Sequence, residues 1–105
     1  MLARAIARGV KVGVGSDNVG FPPNFAAREF RYLTELGMSP MQAIQAGTRV
    51  NAELLGHQAH LGTLEPGKYA DIIATRGNPL EDITELTRVQ FVMKGGRVYK
   101  PILED

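Results

Sequence analysis

The chain has 105 residues, 44% of them hydrophobic and 22% charged, and 12 lysines and arginines against 11 acidic residues leave a net charge of +1. This length holds one small domain and falls far short of the roughly 250 residues of a usual barrel enzyme, so an enzymatic reading has to explain missing mass. Charge of mixed sign without runs argues against a nucleic-acid or membrane-surface partner, and the absence of cysteine excludes disulfides, thiolate metal sites and cysteine nucleophiles.

Residues 2–8 are good helix formers, and Gly9 stands where a C-terminal glycine belongs. Val10 to Gly15 alternates strictly, with three valines on one face and Lys11, Gly13 and Gly15 on the other, which predicts a short strand. Ser16-Asp17-Asn18 breaks that pattern, and Val19 to Asn24, with Gly20 and the Pro22-Pro23 pair, predicts a loop at the strand's C-terminal end. Phe25 to Leu36 is a helix by period, its stripe formed by Phe25, Phe30, Leu33 and Leu36, with Arg28, Glu29, Arg31 and Glu35 on the solvated side.

Ser39-Pro40-Met41-Gln42 has an N-cap serine, a proline at the first helical position and a glutamine placed to complete a capping box. Gly47-Thr48 interrupts that helix, and Val50, Leu54 and Leu55 continue on a helical period to Gly56. Beyond His57 turns and short strands take over: Leu61 to Leu64, a Pro66-Gly67 turn, a strand over Ala70 to Thr75, an Asn78-Pro79 turn and a strand over Val89 to Met93. Gly95-Gly96 suits a two-residue hairpin turn into Val98-Tyr99. No apolar stretch approaches the roughly 18 residues of a membrane span, and no signal-peptide hydrophobic segment opens the chain.

Chemistry concentrates at Gly13 to Asn18. An aspartate just past a strand's C-terminal end stands where barrel enzymes place catalytic groups, and Asp17 has the parity of Gly13 and Gly15, so the valines would face the helices. A carboxylate there can bind a divalent metal or take a proton from a metal-bound water. By spacing alone, however, Asp17 or Ser16 capping the turn is the commoner arrangement. The third glycine of a dinucleotide loop would fall at Asn18, where no helix follows directly, and Ser16 lacks the Gly-x-Ser-x-Gly elbow of a nucleophile. His57 and His60 read as linker histidines, and Met38, Met41 and Met93 as core fillers.

The ordered segments resemble a known family. Gly-Val-Gly-Ser-Asp (13 to 17), Glu-Leu-Gly-Met-Ser-Pro-Met-Gln-Ala-Ile-Gln-Ala-Gly-Thr (35 to 48) and Ala-Glu-Leu-Leu-Gly (52 to 56) are similar to the last barrel strand and following helices of metal-dependent amidohydrolases. Leu-Gly-Thr-Leu-Glu-Pro-Gly-Lys-Tyr-Ala-Asp-Ile-Ile (61 to 73), Gly-Asn-Pro-Leu (77 to 80) and Val-Met-Lys-Gly-Gly-Arg-Val (92 to 98) are similar to the strands of that superfamily's small β-sandwich. The imidazolonepropionase-like and Xaa-Pro dipeptidase-like branch is the nearest in pattern.

The resemblance implies an α/β chain: the end of a (β/α)8 barrel over residues 1–57, then C-terminal strands of a composite β-sandwich over 58–105. It implies hydrolysis of an amide or peptide C–N bond by water activated at one or two divalent metals, usually zinc. The substrate would be a small molecule or dipeptide-like. Asp17 is the one residue to which a catalytic and metal-binding role carries over. The His-x-His pair, the bridging lysine or acid and the two later histidines of the family pattern have no counterpart here. The isolated chain is therefore expected to be inactive, to hold no metal tightly, and to associate with itself or with a missing N-terminal part. A cytoplasmic location is the working expectation. Two rivals remain: a non-enzymatic association or binding module without metal, and an unrelated small α/β domain.

Overall fold

The computed structural model describes residues 1–15 and 27–102. Among these, four short α-helices precede a three-stranded antiparallel sheet. Helix α1 (Leu2–Ala7) closes through Arg8 and Gly9, and the Val10 amide donates back to the Ala5 carbonyl at 3.1 Å. Helix α2 spans Arg28–Glu35, inside the expected Phe25 to Leu36; residues 25 and 26 lie outside the described set.

Helix α3 (Pro40–Gly47) starts as its sequence dictates. Ser39 Oγ accepts from the Gln42 amide at 3.1 Å, and Gln42 Oε1 accepts from the Ser39 amide at 2.9 Å, which satisfies two otherwise orphaned donors. Thr48, with φ −123° and ψ −89°, then breaks the helical path, and α4 (Arg49–Leu55) follows and ends at Gly56. Leu33, Ala43 and Ala46 form the buried centre, against which Ile6, Val12, Val14, Phe30, Met38 and Ile83 pack. Met41, expected in the core, is 46% exposed, and the face that α3 buries carries Ala43 and Ala46 instead.

Strands β1 (Ile72–Ala74), β2 (Phe91–Lys94) and β3 (Arg97–Lys100) form a meander in that order. Ile73 stands opposite Val92, and Met93 opposite Val98. Gly95 and Gly96 both have positive φ, 58° and 81°, the backbone a tight two-residue hairpin requires and that side chains with a Cβ adopt only with strain. A 3-10 helix over Ile83–Thr87, not expected from the sequence, starts at Asp82, whose carboxylate accepts from the Thr84 amide, and presents Ile83 to the helical core. Leu61 to Leu64, expected as a strand, is a run of bends instead.

The expected strand at Val10 to Gly15 forms no ladder with any other described segment. Its alternation is kept in part. Val12 and Val14 pack on the helical core, while Val10 is 56% exposed. No helix among the described residues is long and apolar enough to cross a membrane.

Candidate functional site

Asp17 and the Val19 to Asn24 loop lie outside the described residues; the described part of the site is the segment leading to them and the groups that hold it. The valine face of that segment rests on α2 and α3 through Val14, Phe30, Leu33, Ala43 and Ala46. Its other face meets α4. A Cβ on Gly13 would fall 2.2 Å from Asn51 Oδ1 and 2.6 Å from Leu54 Cδ1, so the bare glycine admits the helix side chains.

Asn51 then reaches the backbone. The Val14 amide donates to Asn51 Oδ1 at 3.0 Å, and Asn51 Nδ2 donates to the Val14 carbonyl at 2.9 Å. One side-chain amide thus satisfies both backbone groups of Val14, in place of a neighbouring strand. Two residues along α4, Glu53 takes a hydrogen bond from Lys11 Nζ at 2.8 Å and pairs with Arg49 at 3.2 Å. The Lys11 hydrogen bond, then its charge, hold the Glu53 carboxyl below the usual glutamate range, with Arg49 adding to the effect. Lys11, Gly13 and Val14 are therefore all tied to α4.

The sequence reading did not single out Asn51. No periodicity or local motif links it to Val14, since the two stand 37 positions apart. His57 and His60 are exposed, and the His60 ring stacks on Tyr69 with centroids 5.7 Å apart. Among the described residues no group of three or more histidines, cysteines, aspartates or glutamates could hold a metal ion. Their donor set does not by itself fit a metal centre.

The chain, an extended segment backed by helices and followed by a small antiparallel sheet, resembles known proteins. The sequence profile of the amidohydrolase family matches residues 1–99, and the chain belongs to that family. It is 43% identical over 102 residues to the ochratoxinase of Aspergillus niger, covering 91% of this chain and 21% of the relative. It is 38% identical over 73 residues to the imidazolonepropionase of Symbiobacterium thermophilum, covering 67% of this chain and 17% of the relative. The crystal structure of a Xaa-Pro dipeptidase with methionine in its active site superposes with a TM-score of 0.89 at 42% identity, covering 93% of this chain and 24% of that one. The chain thus spans about a fifth of the curated relatives it matches.

Proposed function

We propose that this chain is the C-terminal part of a metal-dependent hydrolase that cleaves an amide or peptide C–N bond in a small, dipeptide-like substrate. The observation that carries this reading is the family match over residues 1–99, in register with a segment whose valines pack on helices. In this reading residues 1–57 close the barrel and residues 58–105 add strands to a composite β-sandwich. Asp17 stands at the C-terminal end of the last barrel strand, as a metal ligand and proton acceptor. A divalent metal, zinc by the family resemblance, would supply water of lowered pKa. The remaining ligands belong to the rest of the enzyme, since the described residues do not assemble them.

Asp17→Asn in the full-length enzyme tests the assignment, because it keeps the shape and removes the base. The expected result is a loss of several orders of magnitude in kcat with the fold intact. A loss of less than tenfold returns Asp17 to capping its turn.

The alternative is a non-enzymatic association module, and one quantity, shared by both readings, fits a chain that still needs a covering surface. The chain exposes 7545 Å², where a compact monomer of 11.4 kDa exposes about 5,800 Å². A reading frame continuing upstream of Met1, together with metal in the full-length product, supports the enzyme; a frame opening at Met1 and a metal-free product support the module.

A further inference from the structure

Asn51 holds a backbone segment 37 positions away in the chain. The Val10 to Gly15 segment makes no ladder with another described segment, yet both polar backbone groups of Val14 are satisfied, by one side chain delivered from α4. The fit is specific. The amide oxygen faces an N–H and the amide nitrogen faces a carbonyl, so aspartate in its ionised form would turn an acceptor against an acceptor, and a hydrophobic residue would leave two half-buried backbone groups without partners.

Gly13 is part of the same arrangement, because any Cβ there would displace Asn51 Oδ1. Asp17 stands three residues beyond Val14, about 10 Å of extended chain at most. A peptide unit fixed at Val14 limits how far the carboxylate of a residue three positions on can stray from it.

We propose that Asn51 is a positioning residue: its side-chain amide clamps the Val14 peptide unit and so sets the position from which Asp17 acts. The inference rests on the reading of Asp17 as the enzyme's proton acceptor. A misplacement of about 1 Å in a catalytic group costs on the order of 100-fold in rate, so a backbone clamp three residues away has leverage without touching substrate.

Two experiments test it. In the full-length enzyme, Asn51→Ala and the near-isosteric Asn51→Asp should each lower kcat by about 10- to 100-fold with KM changed less than about threefold. The acid limb of the pH–rate profile should shift in Asn51→Ala, and Asp17→Asn combined with Asn51→Ala should be no slower than Asp17→Asn alone. A purely structural Asn51 would lower the thermal midpoint, leave the pH profile in place and multiply its effect with that of Asp17→Asn; that pattern overturns the proposal, as does wild-type kcat in Asn51→Ala. If Asp17→Asn itself keeps nearly full activity, the assignment of Asp17 fails and the catalytic role of the clamp fails with it, an outcome distinct from an inactive Asp17→Asn beside a fully active Asn51→Ala.

The second experiment uses the 105-residue chain and needs no turnover. The Val14 amide proton resonance should move in Asn51→Asp at neutral pH and return toward its original position as the introduced carboxyl is protonated, because a neutral acid again offers one donor and one acceptor. A Val14 resonance that ignores both the substitution and the pH overturns the clamp, even where the alanine variant fails to fold.

Discussion

A Cβ on Gly47 would lie 2.5 Å from both Cε1 and Cζ of Phe30, so α3 and α2 meet through a glycine and the edge of a ring with no space between. Val14 Cγ2 stands 3.5 Å from the same point. Gly47→Ala should therefore destabilise the chain by about 1–3 kcal/mol despite alanine's better helix propensity, because overpacking outweighs propensity. Combining it with Phe30→Leu should recover part of the loss. Urea unfolding at one fixed protein concentration measures both.

Asp71 Oδ1 accepts from the Gly95 amide at 2.8 Å, tying the entry to β1 to the hairpin turn between β2 and β3. Asp71→Ala leaves that amide to water and should cost about 1 kcal/mol, with faster exchange of the Gly95 amide as its local signature. An unchanged Gly95 exchange rate would refute the tie.

Acid should loosen the fold through identified carboxylates. Glu53 is held below its ordinary range chiefly by the hydrogen bond from Lys11, Glu65 by that from Thr63, Asp82 by that from Thr84, and Glu85 by that from Arg88. A carboxylate whose native pKa lies below its unfolded value adds stability above the unfolded value, and that stability is lost as pH falls through the native one. Stability should thus be flat near neutrality and begin to fall near pH ~4.3, the free glutamate value. Glu53→Gln should lower stability at pH 7 and flatten the decline. Urea midpoints collected from pH 7 down to pH 3 give the slope.

The isolated chain should associate rather than remain a monomer. Its radius of gyration is 14.3 Å, against about 13 Å for a compact domain of this length. Leu54, Leu55, Leu64, Tyr69 and Ile73 are each more than half exposed, and the sheet order leaves β1 and β3 as open edges among the described strands. Asn51 removes one candidate edge, since at Val14 it occupies the groups another strand would use. Sedimentation at low micromolar concentration should give a mass above the 11.4 kDa of one chain. A stable mass of a single chain refutes association.

The same isolated chain should retain no stoichiometric zinc after dialysis and hydrolyse no amide, because zinc needs three or four protein ligands and the proposed reading draws one, Asp17, from this chain. Metal analysis of the dialysed protein, with a dipeptide hydrolysis assay, decides both halves.

What could be read beforehand follows the range of the interactions. Ser39 and Gln42 announce α3 because a capping box closes within one turn, and Gly9, Gly56 and Gly95-Gly96 mark ends and a turn because their positive φ values, 78°, 74°, 58° and 81°, are local demands on the backbone. Burial was less legible. Leu54 and Leu55 keep a helical period yet are 63% and 70% exposed, since period fixes the face of a helix and not what covers it. The 3-10 helix at Ile83 was missed because its opening device, Asp82 on the Thr84 amide, resembles an ordinary turn. At the site, the packing of Val12 and Val14 could be read from alternation, whereas Asn51 could not, because a contact across 37 positions leaves no trace in local pattern.

That separation also sets an order in time. At about 5–20 residues per second, the ribosome needs roughly 2–7 s to add the 37 positions between Val14 and Asn51. During that interval the Val10 to Gly15 segment is already made but still lacks its clamp. A nascent chain arrested before residue 51 should leave the Val14 amide open to solvent, and one arrested late enough for α4 to clear the exit tunnel should protect it. The backbone leading to the aspartate is thus set in place by a part of the chain synthesised after it.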